Sequence, residues 1–433
     1  MKFKELQAVF ENNLVIEDKL VVRAVCASVI ANQLDGSPVW LMIVAPSSGG
    51  KTEILMSLTE VLKGPLPMTQ VVSDISPNSF ISGMKSYEGD HSLLLKMPKE
   101  GGMLLFKDFT SILSKRKEDR AIIMSQLREI YDGSYTRVMG NGSKTWEGRV
   151  GVIGGCTPAI YSAMQEFSVM GERLMLYQML QPDRKEALRF VINKEKTGKS
   201  GDAAQKEAMK KYIESIFEAI EGKEMSHFAL AADTEEELID VADFCTIARS
   251  GVEWNDRANH GGGAIARLPS KEMPFRAVKQ LMRIAKALVV MNLHEGKKEL
   301  LGEADRQILY KIAFDSIPDM RRKAMQIISG YVGGATAAAI AMDMALPTDS
   351  CRRWLEELNA LGIIERSKST TTKAEVEVWK MKPEYSAVVC KFENIVPVEG
   401  SKIIEGDEAT SEADDAFGFT EDLAPTSKQQ DIF

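Results

Sequence analysis

The sequence is poor in cysteine and poorer in histidine. Its 433 residues include five cysteines, Cys26, Cys156, Cys245, Cys351 and Cys390, and four histidines. The cysteine number is odd and the spacings are wide, which argues against a disulfide framework and against a CxxC zinc site. No apolar run approaches the roughly 18–20 residues of a membrane span. The segment 1–13 carries charge where a signal peptide needs an apolar stretch, so a cytoplasmic protein without a membrane partner is expected. An excess of positive charge is also missing, since the net charge is −8. That deficit is local. Residues 399–433 carry ten acids against Lys402 and Lys428, which gives −8, and residues 1–398 therefore balance to zero. A neutral body can still carry local basic surfaces.

What is present is ordinary for a globular chain: 44% hydrophobic and 27% charged residues. The length suggests two to four domains at roughly 100–200 residues each. Residues 17–34 have apolar side chains at helical spacing and predict an amphipathic helix. Asp35-Gly36-Ser37-Pro38 breaks it. Val39–Val44 is an apolar run of strand length, Glu53–Leu62 reads as a helix, and Met103–Phe106 and Val150–Gly154 read as buried strands. Between the last two lie alternating strands around Asn141-Gly142, a strong hairpin signal. The alternation predicts an α/β core with a parallel sheet between helices. Residues 183–330 turn helical, with a loop over 250–272 and a helix over 274–295. Residues 335–385 predict two helices and two strands with a polar tip. Thr348 or Asp349 is expected to cap the second of these helices, and Gly362 to end it. Beyond 399 the acid-rich composition predicts disorder. The expected divisions are 1–37, 38–182, 183–330, 331–390 and 391–433.

The strongest motif is Ala45-Pro46-Ser47-Ser48-Gly49-Gly50-Lys51-Thr52, which fits GxxxxGK[ST] with Ala for the first Gly. Glycines let backbone amides wrap phosphate oxygens, Lys51 would reach the β- and γ-phosphates, and the Thr52 hydroxyl would hold Mg²⁺. ATP and Mg²⁺ are the ligands this motif predicts. Gly102–Phe109 reads as a second strand of the site, with Asp108 as the acid that organises metal and water. Gly154-Gly155-Cys156-Thr157-Pro158 ends a third, with Thr157 placed to contact the γ-phosphate or the attacking water.

The order of these motifs resembles that of AAA+ ATPases, most closely the minichromosome-maintenance-like helicases of the pre-sensor-1 hairpin group, over about residues 20–295. The family's acidic strand usually ends Asp-Glu-Phe, where this chain has Lys107-Asp108-Phe109. Asp108 thus falls on the catalytic glutamate, and Lys107 on the Mg²⁺-organising aspartate. Thr157-Pro158 falls on the family's Asn-Pro. Gly171-Glu172-Arg173-Leu174 resembles its Ser-Arg-Phe segment, which makes Arg173 a candidate arginine finger to a neighbouring subunit. Arg276, in the stretch 274–288, falls on the sensor-2 arginine. The hairpin would be the pore hairpin that grips DNA, with Arg137 and Lys144, and Lys85 is a weaker pore candidate. Residues 335–385 resemble a winged helix, with Arg352 and Arg353 on the recognition helix and Lys368 and Lys373 on the wing. The end Asp431-Ile432-Phe433 is similar to the acidic tip of bacterial single-stranded-DNA-binding proteins, which replication proteins dock onto.

The resemblance implies a helicase-like ATPase of a phage or mobile element, a homo-oligomer and most simply a hexamer, that moves along single-stranded or forked DNA. Two other readings stand beside it. One is an initiator or helicase loader that uses ATP as a slow switch. The other is an AAA+ remodeller acting on protein.

Overall fold

The computed structural model describes residues 1–61, 68–83, 85–86, 89–140, 142–167, 173–197, 201–220, 228–255, 264–298, 300–331, 333–369 and 376–393. Its strands of four residues or more are β1 (Trp40–Val44), β2 (Thr69–Val72), β3 (Gly102–Phe106), the pair β4 (Ser134–Met139) and β5 (Gly142–Glu147), β6 (Val150–Cys156), β7 (Met175–Gln178), β8 (Ile364–Ser369) and β9 (Val376–Met381). The helices of the first half are α1 (Phe3–Asn13), α2 (Val21–Gln33), α3 (Lys51–Met56), α4 (Lys117–Tyr131), α5 (Ala159–Phe167) and α6 (Arg184–Thr197). Those of the second half are α7 (Asp202–Ile220), α8 (Ala232–Arg249), α9 (Phe275–His294), α10 (Glu303–Asp315), α11 (Asp319–Ser329), α12 (Ala337–Met344), α13 (Thr348–Ala360) and α14 (Pro383–Glu393).

Five strands form one sheet in the order β2-β3-β6-β1-β7, and every pairing is parallel. The chain is therefore α/β with helices over both faces. β1, β3 and β6 are buried along their whole length. A strand covered on both sides has no polar face to show, which is why these segments read as unbroken apolar runs. Alternate residues feed two cores. Leu41, Ile43, Leu105 and Ile153 pack towards α2, α8, α9 and α10. Met42, Val44, Leu104, Phe106 and Val152 pack towards α4 and α5.

Two strands, β2 and β7, lie outside the sequence expectations. Each is four residues long and at an edge of the sheet. The helix expected over 17–34 is α2, but it is not amphipathic in place. Val21–Asn32 are all buried, Arg23 included, because α9 closes over α2. The buried Arg23 is balanced by Asp305, 2.8 Å away, and by the Asn292 side-chain oxygen. A paired cation can be buried at tolerable cost, so helical spacing with one Arg did not mark an outward face.

In the C-terminal unit, α12, α13 and β9 pack against helix α11. Ala335 bridges Trp379 of β9, and β8 pairs antiparallel with β9. The Thr336 hydroxyl accepts a hydrogen bond from the Ala339 amide at 3.1 Å and caps α12. The cap expected for α13 is absent: Pro347 stands at that position, Thr348 and Asp349 lie inside the helix, and no side-chain cap bond forms. Gly362 does end α13, with φ +78. The unit is tied to the body by Arg321 and Glu357, both buried and 2.9 Å apart. The Trp254 indole N–H also donates to Glu357 at 2.7 Å. Helix α14 returns to the body and stacks Phe392 on Phe314, with ring centroids 4.3 Å apart. Among the described residues no helix is long and apolar enough to cross a membrane.

Candidate active site

The strand order reverses at β1: the chain leaves it for β2 at one edge and returns on its other side with β7. In open parallel sheets the crevice at such a reversal, beyond the carboxyl ends of the strands, is where ligands bind. Residues 45–50 lie in that crevice. Ser48 and Gly50 adopt positive φ, +62 and +80. This conformation costs a non-glycine residue about 1–2 kcal/mol. A side chain at Gly49 would bring its Cβ to 2.8 Å from the Gln181 side-chain oxygen and 3.0 Å from the Pro46 carbonyl. The loop thus has a glycine where backbone twists and another where it is crowded. Gly50→Ala is expected to lower stability by about 1–2 kcal/mol in denaturant titration and to weaken nucleotide binding, because the same strain sits in the turn that aims the amides.

Helix α3 has only six residues and runs into a short 3₁₀ turn, Ser57–Glu60, instead of the longer helix expected over 53–62. Its dipole is correspondingly small, so the loop and Lys51 have to supply most of the positive potential. Lys51 is 6% exposed. Its ammonium donates to the carbonyl oxygens of Ala45 at 3.3 Å and Pro46 at 3.1 Å. No carboxylate pairs with it among the described residues. An ammonium has three donors, and a buried cation is normally paired. Lys51 is therefore a held cation with one donor and its charge left over.

The neighbouring strand makes room for it. A Cβ on Gly155 would stand 3.2 Å from Lys51 Cδ, 3.1 Å from Leu55 Cδ1 and 3.1 Å from the Lys107 carbonyl. Gly155 thus leaves the slot that Lys51 fills, a place to which the sequence analysis assigned no role; the Gly-Gly pair at the end of an apolar run is its signal.

Asp108 lies two residues beyond the end of β3 and is exposed. Its Oδ1 accepts from the Thr110 amide at 2.9 Å, so it caps the turn that follows. Its second oxygen has no partner among the described residues. Thr110 also holds Thr157: its hydroxyl accepts from the Thr157 amide at 3.0 Å and lies 3.3 Å from the Thr157 hydroxyl. Burial pushes the Cys156 thiol well above its ordinary range, while Lys51 pulls it down and Asp108 pushes it up. Lys51 and Asp108 therefore both lie within electrostatic reach of one atom between them. The structure brings Ala45, Pro46, Ser47, Ser48, Gly49, Gly50, Lys51, Thr52, Asp108 and Thr157 to one end of the sheet. Thr52 is exposed on the first turn of α3. Among the described residues no cluster of three or more His, Cys, Asp or Glu side chains could hold a metal alone. Mg²⁺ bound with phosphates asks for only one or two protein carboxylates; Asp108 is an exposed acid at this end of the sheet, and Thr52 an exposed hydroxyl.

Arg173 and Arg276 are at the other end. Arg173 precedes β7, whose first residue pairs with Leu41 near the start of β1. Its carbonyl accepts from the Gln280 side chain at 3.0 Å, and the Gln280 side-chain oxygen accepts from the Trp40 amide at 2.9 Å. Arg173 is 6% exposed, its guanidinium is 2.7 Å from Asp132, and it lies over the Tyr131 ring. Burial pushes the Tyr131 phenol up to about 12, with Arg276, Arg173 and Arg249 pulling it down and Asp132 pushing it further. This phenol, with Arg173 over its ring, packs on Trp40 at the amino end of β1. The length of β1, roughly 13 Å of strand, separates this cluster from the loop after Val44. Within one chain, Arg173 and Arg276 are not brought together with Lys51. Gly171 and Glu172 lie outside the described residues.

The hairpin forms, but Met139 pairs with Gly142, so the strands meet one residue earlier than an Asn141-Gly142 turn would place them. Arg137 stands directly opposite Lys144. Like charges facing each other across a ladder are destabilising. Both are drawn to the loop before them: Arg137 donates to Asn78 and to the Ile81 carbonyl, each at 2.6 Å, and Lys144 donates to the Ser82 carbonyl at 2.8 Å. These acceptors are neutral oxygens. Val138, 80% exposed, is the bare side chain near the tip. Asn141 and the side chain of Lys85 lie outside the described residues.

In the C-terminal unit, Arg352 is exposed on α13, and Arg353 lies over the Trp254 ring at 4.8 Å. Glu357, on the same helix, faces inward to Arg321. Lys368 is exposed on β8. Lys373 and residues 394–433, with the acidic tail and its tip, lie outside the described residues. No protein-family model matches this chain, and no curated protein matches it.

Proposed function

We propose that this chain is an ATP-hydrolysing DNA motor of the AAA+ type, with the nucleotide bound at residues 45–52 and completed by arginines of a second copy. The observation that carries the reading is Lys51: a buried ammonium without a carboxylate partner among the described residues, in the crevice where the strand order reverses. A cation held in this way is matched to a polyphosphate. Lys51 would neutralise charge developing on the γ-phosphate, and the loop amides would hold the β-phosphate. Mg²⁺, held by Thr52 and Asp108, would supply electrostatic stabilisation of the phosphate oxygens. The open oxygen of Asp108 would orient the attacking water, and the Thr110–Thr157 bond would fix Thr157 beside it. Arg173 and Arg276 cannot reach the loop of their own chain, so their role on a nucleotide requires a neighbour. Exchange of Arg173 from Asp132 to that phosphate would couple assembly to hydrolysis.

The DNA part of the reading rests on Arg137 and Lys144, two facing cations on one hairpin, and on Arg352 of a unit with winged-helix element order. A hexamer and a replication role follow from the resemblance. A slower reading, an initiator or loader gated by ATP, is favoured by one observation. Lys107, at the end of β3, places a cation where a second acid would help hold the metal.

The test is ATP hydrolysis with and without single-stranded DNA, together with displacement of a strand from a forked duplex. Strong stimulation by DNA, lost in Asp108→Ala, and unwinding by the protein alone are the expected results. A slow rate indifferent to DNA and to Asp108→Ala would favour the switch. Stimulation by a protein partner alone would favour a remodeller.

A further inference from the structure

A second lysine stands at the carboxyl end of the sheet without a task in the chemistry above. Lys107 follows β3 directly, and its amide donates to the Val72 carbonyl at 3.0 Å, so the ladder with β2 continues through it. Side chains alternate along an extended strand. Phe106 packs towards α4 and α5, and Leu105 packs into the opposite core, which also holds Leu55 of α3. The backbone thus directs Lys107 to the face that carries α3. Gly155 borders the same place. Phe106 pairs with Gly154, so Gly155 stands beside Lys107, and a Cβ on Gly155 would meet the Lys107 carbonyl oxygen, Leu55 and Lys51. Lys51 and Lys107 therefore lie to either side of a glycine that puts no side chain between them. Lys107 is half-buried, and its ammonium makes no hydrogen bond or ion pair among the described residues. Asp74, the first acid after β2, is taken by Lys115 at 2.8 Å. Asp108 is turned to the Thr110 amide instead, and Thr110 holds Thr157.

We infer that Lys107 is a second phosphate-binding group, and that Lys51 and Lys107 together hold ATP as the metal-free tetra-anion as firmly as its Mg²⁺ complex. The inference rests on the proposed nucleotide site and names the form of nucleotide that this site takes. A divalent cation strengthens the binding of a polyphosphate where it supplies positive charge that the protein lacks. Here two ammonium groups already carry the charge of one divalent ion. A lysine ammonium is a compact point charge, and in a half-buried crevice its attraction for phosphate is screened less than in open water. The same charge repels a divalent cation, so Mg²⁺ adds little to binding and its contribution is confined to hydrolysis. Binding and metal dependence are thereby separated: the lysines on the α3 side grip the phosphates, and Asp108, turned to Thr110, is left to the water.

The test is the affinity of the full chain for a fluorescent ATP analogue, read by anisotropy in Mg²⁺ and again in excess EDTA. Wild type is expected to bind with similar affinity in both. Lys107→Met keeps the apolar stem and removes the charge. It should weaken binding in EDTA about 10-fold or more, the loss of one charge-assisted contact, and much less in Mg²⁺. Lys107→Gln should repeat the pattern, and thermal melts without nucleotide report that both variants are folded. Wild-type binding that EDTA weakens by about 10-fold or more, a full 1.4 kcal/mol, overturns the role of Lys107 and leaves the nucleotide site standing. Binding in EDTA that neither variant changes does the same. Absence of wild-type binding in both conditions would sink residues 45–52 as the site.

Discussion

Lys51→Ala is expected to lower the rate of ATP hydrolysis about 100- to 1,000-fold, the usual loss when one preorganised group facing transition-state charge is removed. Stability should move the other way or not at all. Among the described residues the wild-type ammonium, 6% exposed, is held by the Ala45 and Pro46 carbonyl oxygens alone. A buried cation without a countercharge is a cost to the folded state, so its removal should leave the thermal midpoint unchanged or raised. The slot against Gly155 would be left partly empty, which offsets some of that gain. Loss of activity with stability retained is the signature of a group kept for its charge. A Lys51 holding the fold together would show the reverse, a lowered midpoint with activity falling in proportion to unfolded protein. Lys51→Arg separates charge from shape. The larger guanidinium has to fit beside Gly155 and Leu55, both near van der Waals contact already, so activity should remain low although the charge is kept. Full activity in Lys51→Ala would remove the basis of the proposed site.

The sequence made the nucleotide end of the sheet legible because its signals are local. A loop with Gly49 and Gly50 between an apolar strand and a helix needs no distant partner to be recognised, and β1, β3 and β6 announce themselves as runs with no polar face. The edge strands β2 and β7 did not, since four residues are too few to show a period. Charge was harder to read than apolarity. Arg23, Arg321 and Glu357 lie on helices whose spacing suggests they are solvated, and each is buried against a partner far along the chain: Asp305 for Arg23, and Arg321 and Glu357 for each other. Such pairs are set by how helices cross, which no window of sequence contains. The same holds for Arg173 and Arg276. Each matched a motif, but only the topology shows that both lie at the amino end of β1, away from the loop they would serve.

Asp315→Ala is expected to destabilise the chain by about 3–5 kcal/mol, the cost of breaking a buried ion pair from one side. Asp315 is fully buried. One carboxylate oxygen is 2.6 Å from Arg322, and the other is 3.0 Å from Lys311 and accepts from the Gln178 amide at 2.7 Å. Both cations are themselves under a tenth exposed, so alanine would leave two buried charges against none. Arg322 would keep its bonds to the Tyr161 hydroxyl and the Gln178 side chain, which limits the loss on that side. Lys311, over the Tyr177 ring at 5.0 Å, has less to fall back on. Lys311→Met in the Asp315→Ala background should therefore recover part of the stability, and a double-mutant cycle in urea measures the coupling. The effect should reach the site as well. Gln178 pairs with Val44 on β1, so this carboxylate joins α10 and α11 to the strand that ends in the nucleotide loop. Loosening it should raise the KM for ATP more than it lowers kcat, because Lys51 and Asp108 are untouched while the strand that leads into the Lys51 loop gains freedom. A loss below about 1 kcal/mol, the range of ordinary surface pairs, would mean that water reaches Asp315 and that the helices are not fastened to β7 through it.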